Sequence, residues 1–117
     1  MTVKHSADIP SGLVKAGDLT SIQVLIQGPN FAMRRFIMEP GGGMPKHTNT
    51  VEHEQYVLRG RARISIGGEE FDVQAGDVVF IPEGVAHWYQ NTGEENFEFL
   101  CMVPNKPDEI KILEKDC

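Results

Sequence analysis

Cysteine is nearly absent from this chain of 117 residues, which contains only Cys101 and Cys117. Two cysteines are too few for the disulfide framework of a small secreted domain. Because Cys117 is the last residue, we expect two free thiols in a reducing compartment rather than a bond between them. The first ten residues, MTVKHSADIP, also lack the apolar stretch of a signal peptide. These features predict a cytoplasmic location.

Long apolar runs and excess basic charge are missing as well. No stretch approaches the roughly eighteen consecutive apolar residues of a membrane-spanning helix. Seventeen acidic residues against eleven basic ones give a net charge of −6, and the charges are scattered along the chain. An acidic surface repels phosphate backbones and anionic lipids, so we expect neither nucleic acid nor membrane as a partner.

Helical patterning is absent too, since no segment of about three turns carries an apolar stripe. Turn signals such as QGPN, EPGGG at 39–43 and PEG recur instead about every eight to twelve residues. The runs between them, including FAMRRFIM, EQYVLR and FEFLCMV, are rich in β-branched and aromatic residues. ISIGGEEF predicts a tight hairpin with a primed turn, and 107–115 suits a short helix or a terminal strand. The pattern predicts one all-β domain over 1–117, as a closed barrel, jelly roll or sandwich.

Two of the four histidines lie close together in HTNTVEH, residues 47–53. In an extended strand, residues separated by an even number face the same way, so His47, Asn49 and His53 share one face and the neighbouring glutamates share the other. Another strand starts near His87, after a Pro-x-Gly turn that can set it beside a neighbour. Neutral imidazoles from two strands suit one divalent ion of Mn, Fe, Ni, Cu or Zn. The alternative is a set of ordinary core or surface histidines.

The same alternation assigns faces on two other strands. Arg34 and Arg35 point in opposite directions, so one guanidinium is expected inside the barrel, where it needs a partner. If that residue is Arg34, the partner is either an internal acidic group or the carboxylate or enolate of a substrate. On the last long strand the charge of Glu98 marks the outer face, so the inward set is Phe97, Phe99, Cys101 and Val103.

These residues also carry two motifs that resemble those of the cupins. The second cupin motif, G-x5-P-x-G-x2-H-x3-N, is matched by Gly76, Pro82, Gly84, His87 and Asn91. The resemblance implies a double-stranded β-helix, the jelly-roll barrel of that family, with its core at about 29–104.

The first cupin motif, G-x5-H-x-H-x3or4-E-x6-G, is matched with two departures. Both glycines and His47 fit, but the second histidine position holds Asn49, and His53 stands where most cupins have glutamate. A spacing one residue longer would select Glu54 instead. We favour His53 because it satisfies both the distance to the closing glycine and the strand alternation.

Histidine at that position resembles a narrower group of small cupins with four histidine ligands. Members of that group bind manganese or other divalent metals, and some cleave alkene double bonds oxidatively. The likeness implies one divalent transition metal, Mn first, held by His47, Asn49, His53 and His87. Asn49 then ligates weakly, is replaced by water, or leaves the site often empty. The likeness also implies a substrate cavity lined by Arg34, Met44, Tyr89, Phe99 and Cys101, with simple barrel packing as the alternative for the aromatics.

An open mononuclear metal site of this kind favours a small-molecule enzyme, and specifically a dioxygenase-type oxidoreductase. Two alternatives stay open: a metal-binding or ligand-binding barrel without turnover, and a metal-dependent isomerase or lyase. The sequence does not identify a catalytic residue. Barrels of this type commonly close their exposed strand edges by pairing, so we expect a homodimer that binds a small-molecule substrate.

Overall fold

The computed structural model describes residues 1–113, and almost all of its regular structure is β-strand. Cys117, and with it the expectation about Cys117 pairing, lies outside these residues. One short 3-10 turn and ten strands occur in the described part of the chain. In order they are the turn Ser6–Asp8, then β1 Gly12–Leu13, β2 Asp18–Gln27, β3 Phe31–Thr48, β4 His53–Arg59, β5 Arg61–Ile66, β6 Glu69–Gln74, β7 Val78–Ile81, β8 His87–Gln90, β9 Phe97–Pro104 and β10 Lys111–Ile112.

The strands form one curled antiparallel sheet, in the order β6-β5-β8-β3-β9-β4-β7. Strands β2 and β10 also pair with β3, and β1 pairs with β2. The all-β prediction is therefore confirmed. Of the two structures considered for 107–115, the described residues of that segment contain a short strand, β10, and no helix. The division of the chain into a single domain over 1–117 stays a prediction. Across residues 1–113 no helix is long and apolar enough to cross a membrane.

The prediction that a turn at 39–43 separates two strands is wrong, because β3 runs without a break through these residues. The strand pairs with β9 over 31–38 and with β8 over 43–47, so the glycines mark a change of partner. Gly41 has φ of 81°, which bends the backbone at the change. A side chain at Gly43 would collide with the carbonyl oxygen of Tyr89, so glycine there lets β3 and β8 approach closely.

The hairpin predicted from Gly-Gly is confirmed between β5 and β6. Ile66 pairs with Glu69, which leaves a two-residue loop of Gly67 and Gly68. Both glycines have positive φ, 61° and 86°, as a type I′ turn requires.

Side chains alternate between the two faces of β9 as predicted, but Glu98 is not exposed to solvent as its charge suggested. The four residues expected inside are all buried: Phe97, Phe99, Cys101 and Val103. Glu98 does face the other side of the sheet, yet it is only 5% exposed. It forms a close ion pair with Arg35 and a longer one with Arg59, 3.5 Å. Two guanidinium groups therefore cover the carboxylate, and its charge indicates the face without indicating exposure.

Candidate metal centre and its cavity

Three strands bring three imidazoles to one place inside the barrel. His47, near the end of β3, pairs directly with His87 at the start of β8, and their ring centroids are 4.2 Å apart. His53 begins β4, and its ring centroid is 5.8 Å from that of His87. All three side chains are buried. The neighbouring glutamates, Glu52 and Glu54, are exposed as predicted. The single strand assumed for 47–53 is wrong, however, because β3 ends at Thr48 and β4 begins at His53, so a loop separates the two histidines.

A β-bulge explains why Met44 joins the same interior. The β3–β8 register shifts between Met44 and His47, so two residues of opposite parity both turn inward. Met44 and His47 are buried, whereas the two residues between them are half-buried.

The three imidazoles are in the neutral form that metal ligation requires. Burial lowers the pKa of His53 and of His87 to about 4, and it lowers the pKa of His47 as well. Nδ1 of His47 lies 2.7 Å from the carbonyl oxygen of Pro45, and Nδ1 of His87 lies 2.9 Å from that of Val85. A carbonyl oxygen only accepts, so each Nδ1 carries the proton and each Nε2 keeps a free lone pair.

His53 has a different partner, because its Nδ1 lies 3.3 Å from Sγ of Cys101. The same sulfur accepts from Nη2 of Arg34 and Nε2 of Gln55, each at 3.7 Å. Burial raises the pKa of the Cys101 thiol, so it is protonated near neutral pH. When Nδ1–H of His53 donates to the sulfur, Nε2 is left free like the other two.

Asn49 contributes an amide with one end satisfied and one end free. Its Nδ2 donates to Oδ2 of Asp108 at 2.9 Å. Its Oδ1 is buried and has no hydrogen-bond partner in the described chain. A buried carbonyl oxygen without a partner is uncommon and calls for an explanation, such as an ion that it coordinates.

The donor set fits a divalent transition metal, although it is not a closed coordination sphere. In residues 1–113 no three His, Cys, Asp or Glu side chains form a preformed metal-binding group. The fourth donor here is an amide, and the unpartnered Oδ1 of Asn49 together with three neutral imidazoles is the chemistry such an ion prefers. The ligand roles of His47, Asn49, His53 and His87 stay predictions.

A cavity of about 170 Å³ adjoins these residues. Its lining includes every residue named from the sequence for the metal and for the substrate: Arg34, Met44, His47, Asn49, His53, His87, Tyr89, Phe99 and Cys101. Whether the substrate residues bind a substrate stays a prediction. Their aromatic part is also packed, since the rings of Phe36, Phe99 and Tyr89 stack at 5.0 and 5.3 Å. Packing and cavity lining are therefore compatible functions of the same side chains.

Several lining residues were not identified from the sequence. Gln55 is not one of them, because its parity with His53 places it on that face; it donates to the hydroxyl of Tyr89 at 2.7 Å. Phe36 shares parity with Arg34 and could have been found in the same way. The remaining ones come from distant segments and carried no local signal: Val14, Ala16, Ile22 and Ile110.

Arg34 is the charged residue of this lining, and it has no acidic partner within residues 1–113. Its Nη2 reaches only the sulfur of Cys101, its Nε is buried without a partner, and its guanidinium lies 5.4 Å from the ring centroid of Phe36. The internal acidic partner considered for Arg34 is thus not found there. Glu98 pairs with Arg35 instead, on the opposite face.

A jelly-roll barrel with buried imidazoles on the wall of one cavity defines the class of protein by its fold. The family model described as "Cupin domain" matches residues 34–103, and the chain belongs to the cupin family. The jelly-roll prediction is confirmed by solved cupin structures. The polyketide cyclase RemF from Streptomyces resistomycificus superposes with a TM-score of 0.89 and 26% identity, over 99% of this chain and 87% of that one.

Two curated relatives are similar over shorter stretches. Oxalate decarboxylase OxdC of Bacillus subtilis is 32% identical over 95 residues, which cover 76% of this chain and 24% of that protein. The oxalate-binding protein of Thermotoga maritima is 33% identical over 70 residues, 59% of this chain and 58% of that one. The match spans less than two thirds of either relative's length.

Proposed function

We propose that this cupin is a metal-dependent enzyme, a dioxygenase-type oxidoreductase that acts on a small, partly aromatic anion. One observation carries the proposal. The unpartnered carbonyl oxygen of Asn49 lines the same cavity as three neutral imidazoles and the guanidinium of Arg34, which lacks an acidic partner among residues 1–113. The likeness to four-histidine cupins supports manganese as the first candidate metal, with Fe, Ni, Cu and Zn open.

The residues that would hold the ion are His47, Asn49, His53 and His87. A divalent ion bound by three imidazoles and an amide supplies a Lewis acid with open positions, without a ligand that neutralises its charge. That charge and the nearby guanidinium both favour an anionic substrate.

The cavity limits the size and character of the substrate. An engineered apolar cavity of about 150 Å³ accommodates benzene, so the 170 Å³ found here suits a molecule of about one ring. Phe99 and Tyr89 form part of an aromatic wall of the cavity, with their rings stacked on each other, and Gln55 fixes the Tyr89 hydroxyl by a hydrogen bond. Arg34 would bind the carboxylate or enolate and so orient the substrate against the histidines.

A second candidate is a metal-dependent lyase or cyclase that needs no oxidant. The likeness to the polyketide cyclase RemF, which extends over 99% of this chain, favours it. The similarity to an oxalate decarboxylase points in the same direction. A third candidate, binding without turnover, is favoured by the similarity to the Thermotoga oxalate-binding protein.

The deciding experiment measures turnover of an aryl enol or aryl alkene by the manganese-loaded protein, with and without dioxygen or peroxide. We expect product only when both metal and oxidant are present. His53→Ala should abolish turnover and metal binding. Glu54→Ala is the matched control, because Glu54 is adjacent on β4 but faces solvent, and it should leave both unchanged.

Each other result selects a different function. Equal product without any oxidant would support the lyase or cyclase, and tight substrate binding without product would support the binding protein. Loss of metal in Glu54→Ala but not in His53→Ala would mean that the longer motif spacing, which selects Glu54, is the correct one.

The proposal also includes the surroundings of the protein: a cytoplasmic homodimer that binds neither nucleic acid nor membrane. The dimer is supported by the outer face of β4 and β7, where Tyr56, Leu58, Val78 and Phe80 are between 41 and 75% exposed. Contiguous exposed apolar side chains of this kind mark interaction surfaces.

A further inference from the structure

The chain returns to the candidate metal centre after the last long strand. Residues 107–113, called here the C-terminal strap, lie along the end of β3. Lys111 and Ile112 pair with Thr48 and His47, and the amide of Leu113 donates to the carbonyl of Lys46 at 2.8 Å. The strap also supplies Ile110 to the cavity lining. It therefore contacts the segment that carries two of the four candidate ligands.

Asp108 is the residue of the strap that contacts a candidate ligand through its side chain. Its Oδ2 accepts from Nδ2 of Asn49 at 2.9 Å, and its Oδ1 accepts from the backbone amide of Thr50 at 3.0 Å. A second contact fastens the strap at Thr50, since the amide of Glu109 donates to Oγ1 of Thr50 at 2.8 Å. The same Oγ1 also lies 3.5 Å from Oδ1 of Asp108 and from the carbonyl oxygen of Pro107.

The chemistry of these two side chains determines how Asn49 is oriented. An ionised carboxylate only accepts hydrogen bonds, so Asn49 must present its NH₂ group to Asp108. Its Oδ1 then has to point elsewhere, and it is the atom found buried without a partner. An amide oxygen can ligate a metal, whereas an amide nitrogen has no lone pair available for one. The orientation held by Asp108 is thus the one in which Asn49 can act as a ligand.

We propose that Asp108 is a positioning residue for the metal centre, which holds the Asn49 amide with its oxygen available to the ion. The proposal rests on the proposed function, because it requires a metal at the histidines. It gives a physical reason for an amide at a position where related cupins have an imidazole. An imidazole has its donor atoms set by its own tautomer, whereas an amide needs a neighbour that distinguishes oxygen from nitrogen.

Two simpler roles for Asp108 have to be separated from this one. The first is that Asp108 only fastens the strap and shields the cavity. The second is that its negative charge attracts the cation, in the same way that it raises the pKa values of the three imidazoles against the larger effect of burial. Neither role depends on the side chain at position 49.

Asp108→Asn is the sharpest substitution because it barely changes size. The new side chain has one oxygen, which the Thr50 amide still requires, so its NH₂ group faces Asn49. Asn49 must then turn its own oxygen toward that group and away from the site. Asn49→Ala and the double variant Asn49→Ala/Asp108→Asn complete a thermodynamic cycle. Thr50→Val is the control for the strap. It removes the Glu109 contact and the two 3.5 Å contacts of Oγ1 with Asp108 and Pro107, but it keeps the carboxylate and its hydrogen bonds to Asn49 and to the Thr50 amide.

The measurement is the dissociation constant for Mn²⁺ and for Ni²⁺, obtained by calorimetry at fixed pH on the chelator-treated full chain. We expect Asp108→Asn to weaken binding by about 10- to 100-fold, as for other groups that orient metal ligands. In the Asn49→Ala background the same substitution should change binding by less than about twofold. Thr50→Val should also stay within about twofold of the parent chain.

The outcomes distinguish this proposal from the proposed function. If the parent chain binds neither ion, both are overturned. If it binds and Asp108→Asn binds equally well, only the role of Asp108 is overturned. The same loss with or without Asn49 would assign the effect to charge, and an equal loss in Thr50→Val would assign it to the strap; either result overturns the proposal. Thermal unfolding of each metal-free variant identifies any variant that is misfolded. If Asp108→Asn is misfolded, the affinity of Asn49→Ala decides: a dissociation constant equal to that of the parent chain overturns the proposal, and a loss of about tenfold or more supports it.

Discussion

Two adjacent arginines on β3 have opposite environments although the sequence gives no difference in their chemistry. Arg35 faces outward and pairs with the buried carboxylate of Glu98. Arg34 faces the cavity, where the described chain offers it a sulfur and an aromatic ring but no carboxylate. A guanidinium without a counter-charge costs stability, and this supports the proposal that Arg34 binds an anionic substrate.

The arginine pair yields a prediction with its own matched control. Arg34→Met should leave the free energy of unfolding unchanged or raise it by about 1 kcal/mol, since it removes an unsatisfied polar group. Arg35→Met should lower it by about 2–4 kcal/mol, since Glu98 loses its closest partner in a buried position. Urea unfolding of the metal-free protein measures both. Equal losses from the two substitutions would show that Arg34 has a stabilising internal partner.

For substrate binding we expect the reverse order of effects: Arg34→Met should lower the affinity for an anion, and Arg35→Met should not. The metal-loaded Arg34→Met protein should lose affinity for a small carboxylate such as benzoate, by about 10-fold or more, which is about 1.4 kcal/mol. Arg35→Met, measured at a temperature where it is folded, should bind benzoate as the parent chain does.

At the scale of elements, the β5–β6 hairpin shows the part of the fold that local sequence specifies most completely. Gly68 has φ of 86°, and no atom lies near the position where a side chain would begin. Glycine is therefore favoured at this position only because of its backbone conformation, since a Cβ atom added there would meet no neighbouring atom.

Replacing Gly68 tests whether backbone conformation alone favours glycine at this position. Gly68→Ala should lower the free energy of unfolding by about 1–2 kcal/mol, the cost of a left-handed conformation for an L-residue. Gly12→Ala is the control, because Gly12 is equally open but has no positive φ, and it should be neutral or slightly stabilising. Both values come from urea unfolding. A neutral Gly68→Ala would mean that the hairpin adopts another turn in solution.

At the scale of the whole molecule, the outer face of the sheet is unusually apolar for a surface exposed to water. Tyr56 pairs with Val78 across β4 and β7, and Phe80 lies one step further along β7 opposite Glu54. β7 ends the strand order of the described sheet, so its outer edge can pair with another strand. A second copy of the chain would cover both the edge and the face.

The homodimer prediction is tested by a single charge on this face. Phe80→Lys should convert the dimer to a monomer, because it replaces an exposed aromatic ring of the apolar face with a charge. Phe71→Lys, on the solvent side of the hairpin strand β6 and 40% exposed, should leave the dimer intact. Light scattering during size-exclusion chromatography measures the mass of each. A parent chain that is monomeric at high concentration would refute the prediction.

The buried imidazoles make the stability of the metal-free molecule depend on pH. The folded-state pKa of His53 and of His87 is about 4, against an ordinary value of 6.5. Between these values the unfolded chain binds more protons than the folded one, so the free energy of unfolding falls as pH drops from 6.5 to 4. Each imidazole contributes at most about 3 kcal/mol.

Urea unfolding of the chelator-treated protein at several pH values measures this effect. We expect full stability above pH 6.5 and a loss through the interval down to pH 4. His53→Gln should make the loss visibly shallower, because one of the groups that takes up a proton on unfolding is gone. A pH profile identical to that of the parent chain would contradict the buried, neutral state of His53.

Much of the fold could be predicted because it depends on short-range rules. The strand positions follow from alternation between turn signals, and the Gly-Gly hairpin from backbone conformation. The same period of two placed Arg34 and Arg35 on opposite faces. It also grouped His47 with His53, although a loop and not one continuous strand joins them. The cupin motifs then supplied the jelly roll and the convergence on His87, which alternation alone left open.

What the sequence determined by itself was therefore which side chains of a strand share a face, because alternation is a property of each strand. Only the tertiary structure decided what they meet there. It brought Asp108 to Asn49 across a separation of 59 residues, buried Glu98 beneath two guanidinium groups, and left Arg34 without a carboxylate among residues 1–113. It also carried β3 through a predicted turn from one partner strand to another. Such contacts depend on how distant segments pair and on bulges that shift the register, and no local pattern encodes either.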